Sequence, residues 1–255
     1  MILILGGTGE SRELASALDR EKIAYYLSTA TKYGSLLAKE EVAQEEQVLS
    51  GRMDKEMFKK LIGDKEISLI VDVSHPFAEI VSKTAMETSE ELGITYYRYE
   101  RKDTIRHEGV YYVADVKEAV ELAKTFGERA FLTTGSKTLQ DFVENWGSEH
   151  YTIRVLPTSD VIRKCEELGF LAKQIIAMQG PFSYRMNREQ YLSYPCQSVI
   201  TKDSGKAGGV DDKILAARDL GLACIVIRRP KMEYRNVFRD IEELIKRLKE
   251  EQREA

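Results

Sequence analysis

Cysteine, histidine, proline and tryptophan are all scarce in this chain of 255 residues, which has three, three, five and one of them. The cysteines are widely separated and form no C-x-x-C pair, which excludes a disulfide framework and a zinc site of ordinary spacing. The histidines are equally scattered, so we expect no metal centre. The sequence therefore predicts reduced, buried thiols in a cytoplasmic protein. The residues concerned are Cys165, Cys196, Cys224, His75, His107 and His150.

Long apolar runs and a strong excess of one charge are also missing. No stretch is apolar over the length of a membrane span and no secretory signal is evident, so we expect no membrane partner. The formal net charge of −4 gives no reason to expect a nucleic acid. With 43% hydrophobic residues, the composition predicts a globular protein of one large or two small domains, as a monomer or weak homo-oligomer.

Several signatures of catalysis by side chains alone are absent as well. The sequence contains no G-x-S-x-G elbow, no G-x-x-x-x-G-K-[ST] loop and no kinase or zincin motif. Chemistry carried by a bound cofactor is therefore the leading class of activity.

The strongest signal that is present opens the chain, MILILGGTGESR. An apolar run, three glycines and a helical pattern follow one another, an arrangement in which backbone N–H groups and a helix N-terminus hold a pyrophosphate. Arg12 occupies the third glycine place of the G-x-G-x-x-G fingerprint, and a tight turn without a ligand is the alternative interpretation. The cofactor-binding residues predicted here are Gly6, Gly7, Thr8, Gly9, Glu10 and Ser11.

The end of the predicted second strand, Ile23–Leu27, bears on the choice of cofactor. An NAD site usually has Asp or Glu at this place, where it holds the ribose hydroxyls. This chain has hydroxyls and a lysine there instead, at Thr29, Thr31 and Lys32. They suit a 2′-phosphate, so NADPH is favoured and NADH is possible, with an ordinary loop as the alternative.

Strand and helix patterns alternate along the chain, which predicts parallel sheets with helices on their faces. The charged stretch Arg98–Gly109 interrupts the alternation. We interpret it as the connection between two domains, an N-terminal cofactor-binding domain over 1–100 and a second α/β domain over 101–255. The last predicted element is a helix over Val237–Glu251.

Ligands of open parallel sheets bind beyond the carboxyl ends of the strands, so residues just after each apolar run are candidates. These places are rich in Gly, Ser, Thr, Lys and Arg, which suit phosphates or carboxylates, although each segment can also be only a turn, a cap or a solvated loop. His75 is either a cofactor contact or a packed histidine. The candidate substrate residues are Thr134, Gly135, Ser136, Lys137, Gly180, Ser183, Ser204, Gly205 and Arg229.

Seven short motifs carry a resemblance to a known family. They are, in chain order, GGTGESRELA, VDVSHPFA, FLTTGSKTL, RVLP, GPFS, TKDSGKAGG and IRRP. As an ordered set they resemble the precorrin-6A reductases of cobalamin biosynthesis, including the cobalt-precorrin-6A reductases. The resemblance implies two Rossmann-like domains facing a central cleft, which reduce one double bond of a tetrapyrrole to give precorrin-6B. It also implies that hydride goes to one ring carbon and a proton to its neighbour, with Asp203 helping protonation and Lys202 positioning the substrate or stabilising charge.

One segment departs from the family pattern, and two other functions fit parts of the sequence. After the fifth strand the family tends to read R-P and an aromatic, whereas Arg101 is followed by Lys102, Asp103, Thr104 and Ile105.

A non-catalytic nucleotide-binding or sensor protein would need the glycine turn but not the charged segment Thr201–Gly209. A transferase with a nucleotide-like cofactor would not need the phosphate-suited segment Ser28–Lys32.

Overall fold

The computed structural model describes residues 1–101, 106–205 and 208–254, and side chains in the last helix as far as residue 251. Residues 102–105, and Lys206 and Ala207 of the TKDSGKAGG segment, lie outside the described residues. The strands are β1 (Ile2–Leu5), β2 (Tyr25–Thr29), β3 (Val48–Ser50), β4 (Leu69–Asp72), β5 (Thr95–Tyr99), β6 (Val110–Val113), β7 (Ala130–Leu132), β8 (Tyr151–Val155), β9 (Ile175–Ala177), β10 (Ser198–Lys202), β11 (Ala223–Ile227) and β12 (Val237–Phe238). The helices are α1 (Gly9–Arg20), α2 (Lys32–Lys39), α3 (Lys55–Asp64), α4 (Glu79–Leu92), α5 (Val116–Lys124), α6 (Leu139–Trp146), α7 (Ser159–Glu167), α8 (Tyr184–Ser193), α9 (Val210–Asp219) and α10 (Ile241–Glu254).

The chain forms two compact units, one of Met1–Lys102 with Pro230–Ala255 and one of Asp103–Arg229. Each unit holds one six-stranded sheet in which every described strand pair is parallel, so the predicted α/β class with parallel sheets is confirmed. The predicted second domain of 101–255 differs from this division. Pro230–Ala255 belongs to the first unit because β12 pairs with β5 and α10 packs against α1.

The first sheet has the order β3-β2-β1-β4-β5-β12. This is the doubly wound order, in which the succession of strands reverses direction between two central strands, here β1 and β4. Helices α1 and α10 pack on one face and α3 and α4 on the other, so β1 is buried on both faces. The continuous apolar run Ile2–Leu5 follows from that double burial.

Local capping explains several helix boundaries. The Asp54 side chain accepts a hydrogen bond from the Met57 N–H and begins α3, as predicted from its sequence position. Gly93 ends α4 with a φ of 65°, the left-handed conformation that a helix C-cap requires. In the second unit Asp115 caps α5 in the same way as Asp54 caps α3.

The second sheet has the order β9-β8-β7-β10-β11-β6, which is the same doubly wound layout with β7 and β10 at the reversal. Helices α8 and α9 pack on the face that carries Phe131, Val199 and Val226. The sixth place is taken by β6, a strand that precedes the other five along the chain. In the first sheet the sixth place is taken by β12, which follows the other five.

Neither β6 nor β12 is predicted from the sequence. No strand is predicted at 110–113, and Val237–Phe238 falls inside the helix predicted over Val237–Glu251. Each is a short edge strand with exposed or half-buried positions, so its residues carry little pattern of their own. By contrast, the three cysteines are buried and unpaired, as predicted. Within the described part of the chain, no helix has both the length and the apolarity needed to cross a bilayer.

Candidate active site

The carboxyl ends of β1 and β4 form the reversal point of the first sheet. The Thr8 side chain ties them together, because its hydroxyl donates a hydrogen bond of 2.9 Å to the Val73 carbonyl. The same oxygen accepts from the Ser11 N–H at 3.2 Å, while the Thr8 N–H donates to the Ser11 hydroxyl. These side chains therefore build the turn and cap α1, and they occupy the backbone N–H groups of Thr8 and Ser11.

The glycines of this turn have distinct roles. A Cβ added to Gly6 would lie 2.6 Å from Leu27 Cδ1, so Gly6 allows close packing of the turn on β2. Gly7 has a φ of +99°, and a Cβ at Gly7 or Gly9 would meet nothing within 4 Å. The space over these two residues, at the N-terminus of the 12-residue helix α1, fits a pyrophosphate held by backbone N–H groups.

Two charged residues at the start of α1 are engaged by partners far along the chain. Glu10 forms an ion pair with Arg101, with 2.7 Å between Oε1 and Nε. Arg12, at the third glycine place, pairs with Glu41 at 2.8 Å and donates to the Thr8 carbonyl at 3.2 Å. The Arg12 side chain thus braces the turn from the helix side.

The end of β2 brings the predicted 2′-phosphate residues to the carboxyl edge next to β1. Thr29 is the last residue of β2 and is buried, and its hydroxyl donates to the Thr31 carbonyl at 3.4 Å. Thr31 caps α2, since its side chain accepts from the Gly34 N–H. Lys32 is the first residue of α2 and is exposed.

A buried ion pair fixes the other side of the reversal point. Asp72, at the end of β4, accepts from Arg98 Nη1 at 2.9 Å and from the Tyr96 hydroxyl at 2.7 Å. Its Oδ1 also accepts from the Ser74 N–H at 2.9 Å. His75 follows, half-buried, with Nδ1 accepting from the Phe77 N–H at 3.2 Å. This pair was not predicted from the sequence, although an Asp within an apolar strand run indicates a buried partner.

The second sheet places the segment after β7 beside the segment after β10, because these strands are neighbours. Thr134 is buried and Gly135 has a φ of +76°. Ser136 opens a short 3-10 turn, and its carbonyl accepts from Lys164 Nζ at 2.9 Å. Lys137 lies in the same turn and is exposed.

The residues after β10 include the two predicted catalytic side chains. Burial and the nearby Lys137 ammonium lower the pKa of Lys202 to about 8. Asp203 lies 3.5 Å from Arg229 Nη2, measured to Oδ1, and its carbonyl accepts from Arg229 Nε at 3.2 Å. Ser204 and Gly205 follow and are buried. A positively charged edge with one paired carboxylate therefore faces the space beyond β7 and β10.

The segment after β9 lies at the same carboxyl edge of the second sheet, because β9, β8 and β7 are parallel. Ser183 caps α8, its hydroxyl accepting from the Met186 N–H at 3.3 Å. Gly180 is exposed just after β9. A Cβ built on Gly209 would lie 3.7 Å from the Phe182 carbonyl, so the segments after β9 and β10 are in contact.

The predicted residues thus fall into two groups, each at the reversal point of one sheet or beside it. Gly6–Ser11, Thr29–Lys32 and His75 lie in the first unit, and Thr134–Lys137, Gly180, Ser183, Lys202–Gly205 and Arg229 lie in the second. Strand order, an open glycine turn and a helix N-terminus at the reversal define a doubly wound α/β protein of the dinucleotide-binding type.

Comparison with known proteins identifies the family to which this chain belongs. Residues 1–249 match the family described as "Precorrin-6x reductase CbiJ/CobK", and the chain belongs to this family. A relative from Priestia megaterium named "Cobalt-precorrin-6A reductase" is 41% identical over 249 residues, which are 96% of each chain. One of the same name from Salmonella typhimurium is 37% identical over 90% of this chain and 87% of its own. A solved structure, "CobK precorrin-6A reductase", has a TM-score of 0.79 at 24% identity over 98% of this chain and 96% of that one, a likeness in fold. The chain is accordingly an oxidoreductase of cobalamin biosynthesis.

Proposed function

We propose that this chain uses NADPH to reduce one double bond of cobalt-precorrin-6A, giving cobalt-precorrin-6B. The relatives at 41% and 37% identity bear the cobalt-precorrin name, which favours the cobalt-containing substrate over precorrin-6A itself. The observation that carries the proposal is the open turn at Gly7 and Gly9, set at the reversal point of a doubly wound sheet. We expect the protein to act in the cytoplasm as a monomer or weak homo-oligomer.

The first unit holds the cofactor in this proposal. Backbone N–H groups of Gly7, Gly9 and Glu10 bind the pyrophosphate. Gly6, Thr8 and Ser11 shape the turn, since their N–H groups donate to protein acceptors. His75 lines the cofactor site from the end of β4. When bound, the nicotinamide supplies hydride, so the protein need not generate a nucleophile.

Preference for NADPH rests on the residues after β2. In NAD-binding sites an acidic side chain at this place holds the ribose hydroxyls. Here Thr29, Thr31 and Lys32 offer hydroxyls and an ammonium, and Lys32 is exposed at the edge of the sheet. An ammonium favours the doubly charged 2′-phosphate of NADPH.

The second unit binds the macrocycle and assists proton transfer. Lys202 stabilises negative charge that develops on the ring as hydride arrives, and Asp203, oriented by Arg229, helps deliver the proton to the neighbouring carbon. Thr134–Lys137, Gly180, Ser183, Ser204 and Gly205 bind the carboxylates of the substrate through N–H, hydroxyl and ammonium groups.

Binding and turnover of the purified protein test this proposal in two steps. NADPH should bind more tightly than NADH in a fluorescence titration, and NADPH oxidation at 340 nm should require added cobalt-precorrin-6A. Asp203→Asn should lower kcat at least tenfold and leave the Kd of NADPH within twofold. Binding without oxidation would favour a non-catalytic nucleotide-binding protein, and preference for NADH would contradict the role of Lys32.

A further inference from the structure

Two buried cations lie on the α8 and α9 side of the second sheet, one in contact with Phe182 after β9 and the other with Gly208 before α9. Arg154, in β8, is 5% exposed, and Lys213, in α9, is 9% exposed. Neither belongs to the residues assigned above to substrate binding or catalysis. A buried charge without a counter-charge is costly, so the partners of each residue decide its meaning.

Arg154 has only neutral partners among the described residues. Its Nη1 donates to Asn187 Oδ1 at 2.8 Å and to Gln190 Oε1 at 2.7 Å. Within residues 1–101, 106–205 and 208–251, these two amide oxygens are the hydrogen-bond acceptors of Arg154, and no carboxylate forms an ion pair with it. The Phe182 ring lies 3.9 Å from Cζ and covers the guanidinium face, which leaves the edge that carboxylates bind.

Lys213 repeats this situation a short distance away. Its Nζ donates to the Gly208 carbonyl at 2.8 Å, which is again a neutral partner. Burial and the positive charge of Arg154 together lower the pKa of Lys213 to about 8. The Lys213 N–H donates to the Gly209 carbonyl, a Cβ on Gly209 would lie 3.7 Å from the Phe182 carbonyl, and the Phe182 ring covers Arg154, so contacts link the two cations. An anion between them would relieve both the repulsion and the desolvation.

A third donor lies on α8, the helix that supplies the partners of Arg154. The Tyr191 hydroxyl, on α8, is buried and has no hydrogen-bond partner in the described part of the chain. Tyr191 follows Asn187, a partner of Arg154, by four residues, so the two side chains lie on the same face of α8. Buried hydroxyls of this kind normally have a partner, so an acceptor is missing in a region where two cations have only neutral partners.

We propose that Arg154 and Lys213, with the Tyr191 hydroxyl, bind one carboxylate of the substrate. The inference rests on the proposed function, since the substrate class is a polycarboxylate macrocycle. An arginine edge and a lysine ammonium suit a single carboxylate, and the covering segments carry Gly180, Ser183 and Gly205 of the proposed substrate site. In this proposal one carboxylate arm of the macrocycle reaches Arg154 and Lys213, while Lys202 acts on the ring.

Thermal unfolding with propionate as the probe tests the subsite without turnover. Sodium propionate at 100 mM should raise the Tm of the full chain by about 3 °C relative to sodium chloride at equal ionic strength. Lys213→Met keeps the buried stem but removes the charge, and it should abolish the shift, as should Arg154→Gln. Arg129→Gln, an exposed arginine at the amino end of β7, is the matched control and should keep the shift.

The thermal stability of the variants distinguishes a cation that binds a ligand from one that stabilises the fold. In chloride, Lys213→Met should unfold at or above the wild-type Tm, because an uncompensated buried charge is removed. A loss of the fold in both variants, no propionate-specific shift in wild type, or a full shift in Lys213→Met would each overturn the proposal.

Substrate kinetics then assign the carboxylate to the macrocycle. Lys213→Met should raise the KM for cobalt-precorrin-6A about tenfold while kcat and the Kd of NADPH stay within twofold. A propionate shift with an unchanged KM would mean that the subsite binds a carboxylate other than the substrate's. Failure of the wild-type protein to oxidise NADPH would overturn the proposed function instead, while the propionate result would stand on its own.

Discussion

The two units share a strand order but treat buried arginine in opposite ways. In the first unit Arg98 is fully buried and forms a 2.9 Å ion pair with Asp72, which also accepts from Tyr96 and Ser74. In the second unit Arg154 is nearly as buried, yet amide oxygens and an aromatic ring are its partners. In the first unit the arginine charge is compensated by a carboxylate. In the second unit no carboxylate of the described residues compensates it, so a bound anion would stabilise the arginine.

The difference indicates how each unit recognises its ligand. In the first unit Arg98 and Glu10 are held in ion pairs, so the recognition proposed there rests on backbone N–H groups over an open turn and on the exposed Lys32. In the second unit the proposed ligand contacts include three cations, Lys202, Arg154 and Lys213. One strand order would thus serve a pyrophosphate in the first unit and carboxylates in the second, if both proposals hold.

Removal of the compensated arginine should have the largest effect. Arg98→Met would leave Asp72 buried without its counter-charge and should lower the free energy of unfolding by about 3–5 kcal/mol. Arg163→Met removes an exposed ion pair in the second unit and should cost less than about 1 kcal/mol. Urea unfolding of the full chain measures both, and equal costs would contradict the contrast between the units.

Closing the glycine turn should be the next largest perturbation. Gly9→Val fills space that nothing else occupies, so the fold should survive while the Kd of NADPH rises about 100-fold. Gly63→Val is the matched control, since Gly63 lies in α3 and its added Cβ also meets nothing within 4 Å. A folded Gly9→Val protein with normal NADPH affinity would refute the assignment of the turn.

The pH dependence of turnover tests the charge of Lys202. Because its pKa is lowered to about 8, the ammonium is present below that pH and is lost as the pH rises through it. If the charge stabilises the developing anion, kcat should fall about tenfold per pH unit above the pKa. Lys202→Arg should move this decline beyond pH 10, whereas a decline left in place would assign it to another group.

Capping residues should give the smallest differences. Thr8→Ala removes both the α1 cap and the bond to the Val73 carbonyl and should cost about 1 kcal/mol. Ser183→Ala removes one 3.3 Å capping bond in the second unit and should cost about 0.5 kcal/mol. A reversed order in urea unfolding would show that the turn in the first unit is not held by Thr8.

The sequence predicted what depends on local pattern. The apolar run of β1, the cap at Asp54 and the left-handed Gly93 each carry their signal within a few residues, and all were confirmed. The candidate residues could also be assigned to strand ends, because parallel strands end at a common edge. Their roles toward cofactor and substrate remain predictions.

What the sequence did not predict depends on partners far along the chain. Strands β6 and β12 exist because β11 and β5 offer unpaired edges, and neither has a strong pattern of its own. Arg98 and Arg154 look alike as isolated arginines near strand ends. Asp72 lies 26 residues from Arg98, and Asn187 lies 33 residues from Arg154, so only the fold distinguishes them.

The sixth strands also set an order for synthesis on the ribosome. β6 is synthesised before the other strands of its sheet, and its partner β11 is the last of them. The second unit therefore has all its strands once Ile227 has emerged from the ribosome. The first unit has β1 to β5 early but cannot close its edge until Val237–Phe238 emerges, after the whole second unit. The half of the protein that is translated first is thus the last to be completed, and its open β5 edge is the one that must be kept from other strands during that interval.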